Sequence, residues 1–94
     1  EFACFGGADV SGASLKGANL KRSSLVGTKG HNTDFSQADL YYARPGKADL
    51  VGAKFINASI VRTIFRKANL SGADFTGAEG DANYENAILD GVKR

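Results

Sequence analysis

Few side chains in this sequence have the types and spacing needed for chemistry. His31 is the only histidine and Cys4 the only cysteine, so no Cys/His zinc spacing and no intramolecular disulfide is available. Neither a nucleophile elbow nor a phosphate-binding glycine loop is present. We therefore expect no catalytic, cofactor-binding or metal site and no enzymatic activity, and we interpret His31 as a solvated surface residue.

Tyrosine and arginine are the other residue types with functional potential, because they anchor many protein interfaces. A guanidinium group over a phenol ring also gains cation–π attraction. Our candidate partner-binding residues belong to this class or are aliphatic residues close to it in sequence: Arg22, Tyr41, Tyr42, Arg44, Val61, Arg62 and Ile64. The competing interpretation is that these side chains only stack on one another and bind nothing.

The element that would position these residues is a five-residue repeat. Positions divisible by five, from 5 to 80, hold a large apolar residue in thirteen of sixteen units, and the residue two places earlier is always Ala, Thr or Ser. Neither the helical period nor the strand period fits this spacing. In an extended segment, side chains two residues apart lie on the same side of the backbone. The chain must therefore turn a corner in every unit to bring the next small and large residues back to that side. Glycine is frequent at the corners, where a positive φ is expected.

Units such as Ala18-Asn19-Leu20 and Ala73-Asp74-Phe75 resemble those of the pentapeptide-repeat proteins. The resemblance covers nearly the whole chain and implies an all-β fold, a right-handed quadrilateral β-helix with four units per coil. Residues twenty apart would then stack, and residues 1–94 would form one domain of about four and a half coils. The family is abundant in cyanobacteria and in the thylakoid lumen, and other members are bacterial effectors. A thylakoid lumen or bacterial cytoplasm location is therefore implied by the resemblance only.

Twenty-residue stacking predicts that the candidate residues meet. It places Arg22, Tyr42 and Arg62 in one corner column, with Tyr41 and Val61 in the column beside it. Arg44 and Ile64 follow after the corner, so we expect one continuous aromatic–basic edge. Most acidic residues would instead alternate with Lys between coils and set the register.

Three parts of the repeat depart from the pattern. Gly30 and Pro45 occupy positions for large residues, which predicts irregular units, either bulges or loosened corners, near 28–32 and 43–47. Val10 and Leu50 would fill the core beside Gly30. The alanines shift by one place near 79–82, which predicts a one-residue slip in phase.

The repeat begins almost at the first residue, which is not methionine. We expect the open coil end there to be covered by flanking sequence, a second copy or a partner, since open ends of solenoids are normally capped. The alternative is that Phe2 and Phe5 fold over the opening as a plug. No apolar run is long enough to span a membrane.

Two functions from different classes fit these observations. The first is a structural or interaction module that docks a protein through the tyrosine and arginine residues or through a coil end, as a subunit of a larger, photosynthetic complex by family resemblance. The second is a nucleic-acid-like or nucleic-acid-binding module acting on a DNA enzyme, because some family members are thought to mimic DNA and bind gyrase. Mimicry requires a strongly acidic surface, whereas the net charge is +2. The charge therefore favours a protein partner over nucleic acid.

Overall fold

A computed structural model describes all residues 1–94 of the chain. It contains no helix and no strand longer than one residue. Instead, every five-residue unit up to Thr76 and Gly77 contributes a single β-bridge residue and then a two-residue turn, as in Lys54 and the turn at Ile56 and Asn57. No helix is present that is long and apolar enough to cross a membrane.

The bridges are all parallel and define the register of the coils. Asp9 pairs with Lys29, Lys29 with Asp49, and Asp49 with Asn69, so twenty residues separate each pair. Four such columns, five residues apart, give the solenoid four faces. Each rung uses two backbone bonds, and each turn closes with another, as where the Ala53 N–H donates to the Leu50 carbonyl over 3.1 Å. Successive coils therefore satisfy one another's backbone groups, which explains how single-residue bridges suffice.

The core follows the repeat. From 25 to 75, every residue at a position divisible by five is buried, as is every residue two places before, and the residue between them is partly or fully exposed. Phe35, Phe55 and Phe75 stack with parallel rings and centroids 4.9 and 4.8 Å apart. Where Thr replaces Ala its hydroxyl is satisfied, as in the 2.7 Å bond from Thr63 Oγ1 to the Leu40 carbonyl. The predicted inward and outward sides are thus confirmed.

The corner residues take left-handed backbone conformations. The predicted positive φ is confirmed at the seven glycines that hold the second corner position between Gly7 and Gly77, with values of 68° to 72°. Gly52 also has a packing reason, because a Cβ there would lie 2.3 Å from Oδ1 of Asn32 in the preceding coil. Ten residues other than glycine share this region, with φ between 53° and 62°.

The units around Gly30 and Pro45 keep their corners. Two-residue turns form at 31–32 and 46–47 as elsewhere, so the expected loosening of these corners does not occur. The reason is that the turn is set by the corner residues, whereas Gly30 and Pro45 stand at inward positions before it. A Cβ on Gly30 would lie 3.0 Å from Leu50 Cδ2, so the neighbouring coil already fills the space. At Pro45 the missing N–H removes one rung bond, and Ile64 keeps only its bond to the Ala43 carbonyl.

The register changes once, after Glu79. The last three bridges join Ile64 to Asn83, Asn69 to Ile88 and Asp74 to Lys93, each nineteen residues apart. The change coincides with Gly80, whose φ is 136°.

The two phenylalanines of the first coil have different environments. Phe5 packs against the core cluster. Phe2 does not act as a plug, because 66 % of its surface is exposed and its backbone follows a corner with φ of 59°. The geometry of the corner directs its side chain away from the coil interior and towards Arg22, whose guanidinium carbon lies 5.8 Å from the ring centroid.

Candidate functional site

One corner column brings together the main candidate residues. Phe2, Arg22, Tyr42 and Arg62 follow each other at twenty-residue intervals, and each has a positive φ. The guanidinium of Arg62 lies 5.5 Å from the Tyr42 ring centroid, and its Nη1 donates a 2.6 Å hydrogen bond to the Tyr42 hydroxyl. That bond raises the pKa of Arg62, because the hydroxyl oxygen stabilises the charged form. Aromatic and cationic side chains therefore alternate along the column.

Tyr41 joins this column from the neighbouring corner position. Its ring packs edge-on against Tyr42, with centroids 4.7 Å apart, and the Arg22 guanidinium lies 5.6 Å from its centroid. Arg22, Tyr41, Tyr42 and Arg44 line a surface depression of about 570 Å³ together with Phe2. We call these five residues the tyrosine–arginine edge.

The remaining two candidates lie outside this depression. The Val61 carbonyl accepts a 3.1 Å hydrogen bond from the Tyr42 N–H. Val61 nevertheless lines another depression, which it shares with Glu79. Ile64 lines a groove of about 270 Å³ on the far side of Arg44. Arg44 lines both the edge depression and this groove, so the two are adjacent.

The groove, which we call the basic groove, contains residues that sequence reasoning had not combined into a site. Its lining has two aliphatic side chains, one glycine and four cations: Val26, Ile64, Gly46, Arg44, Lys47, Arg66 and Lys67. Stacking at twenty-residue intervals would have found them, since 26, 46 and 66 share a corner column, as do 47 and 67. Phe2 could have been assigned to the edge by the same rule, because it stands twenty residues before Arg22.

Charge is unevenly distributed among the four faces. Ser24 bridges to Arg44, and Ile64 lies on the next coil of the same column, where its N–H donates to the Ala43 carbonyl. This column, with its two flanking corners, forms what we call the cationic face. This face carries seven of the twelve Lys and Arg residues but only three of the ten acidic residues, so its net charge is +4. The other five cations and seven acidic residues give the rest of the chain a net charge of −2. The seven cations of the face are Lys21, Arg22, Arg44, Lys47, Arg62, Arg66 and Lys67.

Few of these cations have an acidic partner. Arg66 pairs with Glu85 over 3.2 Å, and Lys21 pairs with Asp39 over 3.6 Å. The nearest carboxylate to Arg22 is that of Glu1, at 4.0 Å. Arg44, Lys47 and Lys67 form no ion pair, which leaves the basic groove with uncompensated positive charge.

His31 is not simply solvated, contrary to our interpretation of the sequence. Its Nε2 lies 2.7 Å from Oδ2 of Asp49, and its backbone N–H donates to the Ser11 hydroxyl over 3.1 Å. The Ser11 hydroxyl oxygen accepts this backbone bond, and the ring nitrogen Nε2 contacts the Asp49 carboxylate, so the contact between Ser11 and His31 does not involve the imidazole. No three His, Cys, Asp or Glu side chains cluster closely enough to hold a metal ion.

Comparison with known proteins identifies the repeat. The family model described as pentapeptide repeats matches eight copies, in residues 3–40 and 47–79. A crystal structure of a pentapeptide repeat protein from the cyanobacterium Cyanothece 51142 is 31 % identical, with a TM-score of 0.78 over 96 % of this chain and 58 % of that one. A pentapeptide repeat protein from the Arabidopsis thaliana thylakoid lumen is 28 % identical, with a TM-score of 0.76 over 96 % of this chain and 60 % of that one.

QnrB1, a plasmid-mediated fluoroquinolone resistance protein, is 23 % identical, with a TM-score of 0.74 over 98 % of this chain and 51 % of that one, a likeness in fold alone. No curated protein matches. The chain spans less than two thirds of the length of these three solved structures. The matched repeats, the parallel bridges at twenty-residue intervals and the solved structures agree that this chain belongs to the pentapeptide-repeat family, whose fold is a right-handed quadrilateral β-helix.

Proposed function

We propose that residues 1–94 form one pentapeptide-repeat domain, a rigid rod of about four and a half coils that docks a partner protein without catalysing a reaction. The docking surface is the tyrosine–arginine edge, with Arg62, Val61 and Ile64 at its margins. The observation that carries this proposal is the corner column Phe2, Arg22, Tyr42 and Arg62, in which no glycine occurs.

That column is unfavourable for backbone stability. A side chain other than glycine in the left-handed region costs roughly 1–2 kcal/mol, and Tyr42 has a φ of 54° there. The cation–π contact and the 2.6 Å hydrogen bond between Arg62 and Tyr42 offset part of this cost. Glycine would avoid the cost altogether, so the turn itself gives no reason for a tyrosine at this corner, whereas a role in binding does.

The family match supports the same location. Its two matched segments stop at residue 40 and resume at 47, so they omit Tyr41, Tyr42 and Arg44. The omitted unit keeps the course of the coil, with a two-residue turn at 41–42 and a buried Ala43, although Pro45 removes one rung bond. Residues that depart from the repeat without disturbing the coil are candidates for a role specific to this chain.

The test compares two glycine substitutions at left-handed corners. Tyr42→Gly removes the central side chain of the edge, and Gln37→Gly makes the same backbone change on another corner, where φ is 62°. Both variants are expected to fold, because glycine adopts left-handed φ values without steric strain. Each protein is immobilised, incubated with an extract of its native cells at moderate salt, and the retained proteins are identified by mass spectrometry.

A discrete protein retained by the wild type and by Gln37→Gly, but lost with Tyr42→Gly, is the expected result. Equal retention by Tyr42→Gly overturns the proposal. The other docking route, through a coil end, is separated by Leu89→Ser, since Leu89 is exposed at the last coil. Loss with Leu89→Ser and retention with Tyr42→Gly would assign docking to the coil end.

The second candidate, a module that binds nucleic acid or acts on a DNA enzyme such as gyrase, is favoured by one observation, the +4 charge of the cationic face. The same charge opposes mimicry of DNA, which needs an acidic surface. Phosphate binding by this face would give retention on heparin and on DNA that falls steeply with salt. Retention of this kind, unchanged by Tyr42→Gly, would favour the second candidate.

A further inference from the structure

The basic groove has a construction that docking through the tyrosine–arginine edge does not by itself require. Val26, 43 % exposed, and Ile64 form an aliphatic floor, and Gly46 allows close approach of the coils because a Cβ there would lie 3.3 Å from the Arg66 carbonyl. Lys47 and Lys67 stand at the rim. An apolar floor ringed by cations complements a ligand that combines an apolar group with negative charges.

Three of the four cations of the groove have no acidic partner within the chain. Arg44, Lys47 and Lys67 have no ion pair, and only Arg66 is bonded to an acid, Glu85. Like charges held near one another repel, and an anionic ligand would relieve that repulsion. The ligand is thus expected to be acidic, and its binding is expected to weaken as salt screens the face.

Backbone conformation at the rim supports the same conclusion. Lys47 and Lys67 have φ values of 58° and 62° at a corner whose earlier members, Gly7 and Gly27, have 72° and 68°. Lysine therefore stands in two successive coils where the two earlier coils have glycine, although glycine is the more stable choice at such a φ.

An acidic polypeptide fits this face better than nucleic acid does. Bases bind such surfaces by stacking on aromatic rings. The Arg22 guanidinium already lies over Tyr41, and that of Arg62 over Tyr42, so these rings have a cation on one face. The floor of Val26 and Ile64 likewise matches an apolar side chain and offers nothing to a phosphate backbone.

We infer that the basic groove binds an acidic segment of the partner protein, with carboxylates on Arg44, Lys47 and Lys67 and one apolar side chain between Val26 and Ile64. Because Arg44 also lines the tyrosine–arginine edge, the segment continues from the edge into the groove. This inference rests on the proposed docking function and adds the chemical class of the bound segment.

The test uses a fluorescein-labelled synthetic peptide in which glutamates flank one leucine, titrated with the full chain at low salt and followed by fluorescence anisotropy. Three further probes are matched to it: the leucine replaced by glycine, the glutamates replaced by glutamine, and a labelled single-stranded oligothymidine. The variant combines Lys47→Gly with Lys67→Gly, and glycine is compatible with the positive φ at both positions. Gln37→Gly is the control.

The wild type and Gln37→Gly are expected to bind the glutamate–leucine peptide best, and the double lysine variant about tenfold or more weakly. Tighter binding of the oligothymidine would assign the groove to nucleic acid and overturn the inference. Absence of peptide binding, or equal binding by the double lysine variant, would overturn it as well. If Tyr42→Gly still abolishes capture of a partner in that case, the docking proposal stands and only the acidic segment is wrong.

Discussion

Gly80 should be the least replaceable glycine of the chain. A Cβ added there would lie 2.4 Å from Val61 N and 2.5 Å from Ile60 C, whereas real Cβ contacts are essentially never below 3.0 Å. The shortfall, 3.0 minus 2.4, means that the coils must separate by about 0.6 Å at this point. Both contact atoms are backbone and are held by the rung in which Ile60 N–H donates to the Glu79 carbonyl over 2.8 Å.

The cost of Gly80→Ala follows from these distances. Alanine at a φ of 136° is strained by about 1–3 kcal/mol, and the overlap adds a similar amount, so we expect roughly 3–5 kcal/mol of lost stability. Gly72→Ala is the matched control, because its Cβ would meet nothing within 4 Å and only the left-handed φ of 69° opposes it. That control should lose about 1 kcal/mol, a fall in Tm of about 4–8 °C for a domain of this size.

The loss should begin in the last coil, since each coil of a solenoid contacts only its neighbours. In Gly80→Ala, the Ile88 amide, which donates to the Ala68 carbonyl, should exchange with solvent much faster than in the wild type. The Asp49 amide, bonded to the Thr28 carbonyl, should change less. Thermal unfolding followed by circular dichroism and hydrogen exchange by NMR measure both effects. Equal destabilisation by the two alanine variants, or equal exchange at Ile88 and Asp49, would refute the reasoning.

Three further predictions concern the core and the surface carboxylates. Leu50→Asp should unfold the coil, because a buried unpaired carboxylate costs several kcal/mol, whereas the exposed Lys54→Ser should leave Tm nearly unchanged in the same melting experiment. Phe55→Leu should lose about 1–3 kcal/mol in urea unfolding, since it removes the middle ring of the Phe stack, and a loss near zero would count against that stack. The Thr76 hydroxyl and N–H lower the pKa of Asp74, so Thr76→Ala should raise that pKa towards 3.8 in an NMR titration. Because the folded-state pKa is the lower one, the stability gap between Thr76→Ala and wild type should exist above pH 4 or so and close as pH falls through the folded pKa.

The fold could be predicted because the inward positions hold a fixed pattern of large and small residues along the whole sequence. A large residue and a small one, two places apart, point to the same side of an extended segment, and repetition every five residues leaves only a chain that turns a corner in each unit. This reasoning located the buried positions of Leu50, Phe55 and Ala53 correctly. It overestimated the effect of Gly30 and Pro45 on the corners, because inward positions do not determine the turn dihedrals.

The candidate site was only partly predictable, because corner side chains leave the coil at angles that the repeat does not specify. The contact between Tyr42 and Arg62 follows from stacking and is confirmed by their hydrogen bond. Val61, one residue earlier, turns towards a different depression, which no spacing rule indicates. The bond between His31 and Asp49 likewise joins a corner residue of one coil to a bridge residue of the next. Its prediction would require the direction of each side chain, which the repeat does not give.

The choice of residue at the left-handed corners separates the cationic face from the rest of the solenoid. The two corners away from that face use only glycine, asparagine and one glutamine at these positions, and glycine and asparagine adopt this conformation most readily. The two corners that border it hold every left-handed residue of the costly kinds, the aromatic ones and the lysines and arginines: Phe2, Arg22, Tyr42, Lys47, Arg62 and Lys67. A chain selected for stability alone would have no reason to gather these residues on one side. Four of the six, Arg22, Lys47, Arg62 and Lys67, are also cations of the +4 face, so residues that strain the backbone supply much of its charge. This gathering of strained and charged residues supports the surface that we propose for binding.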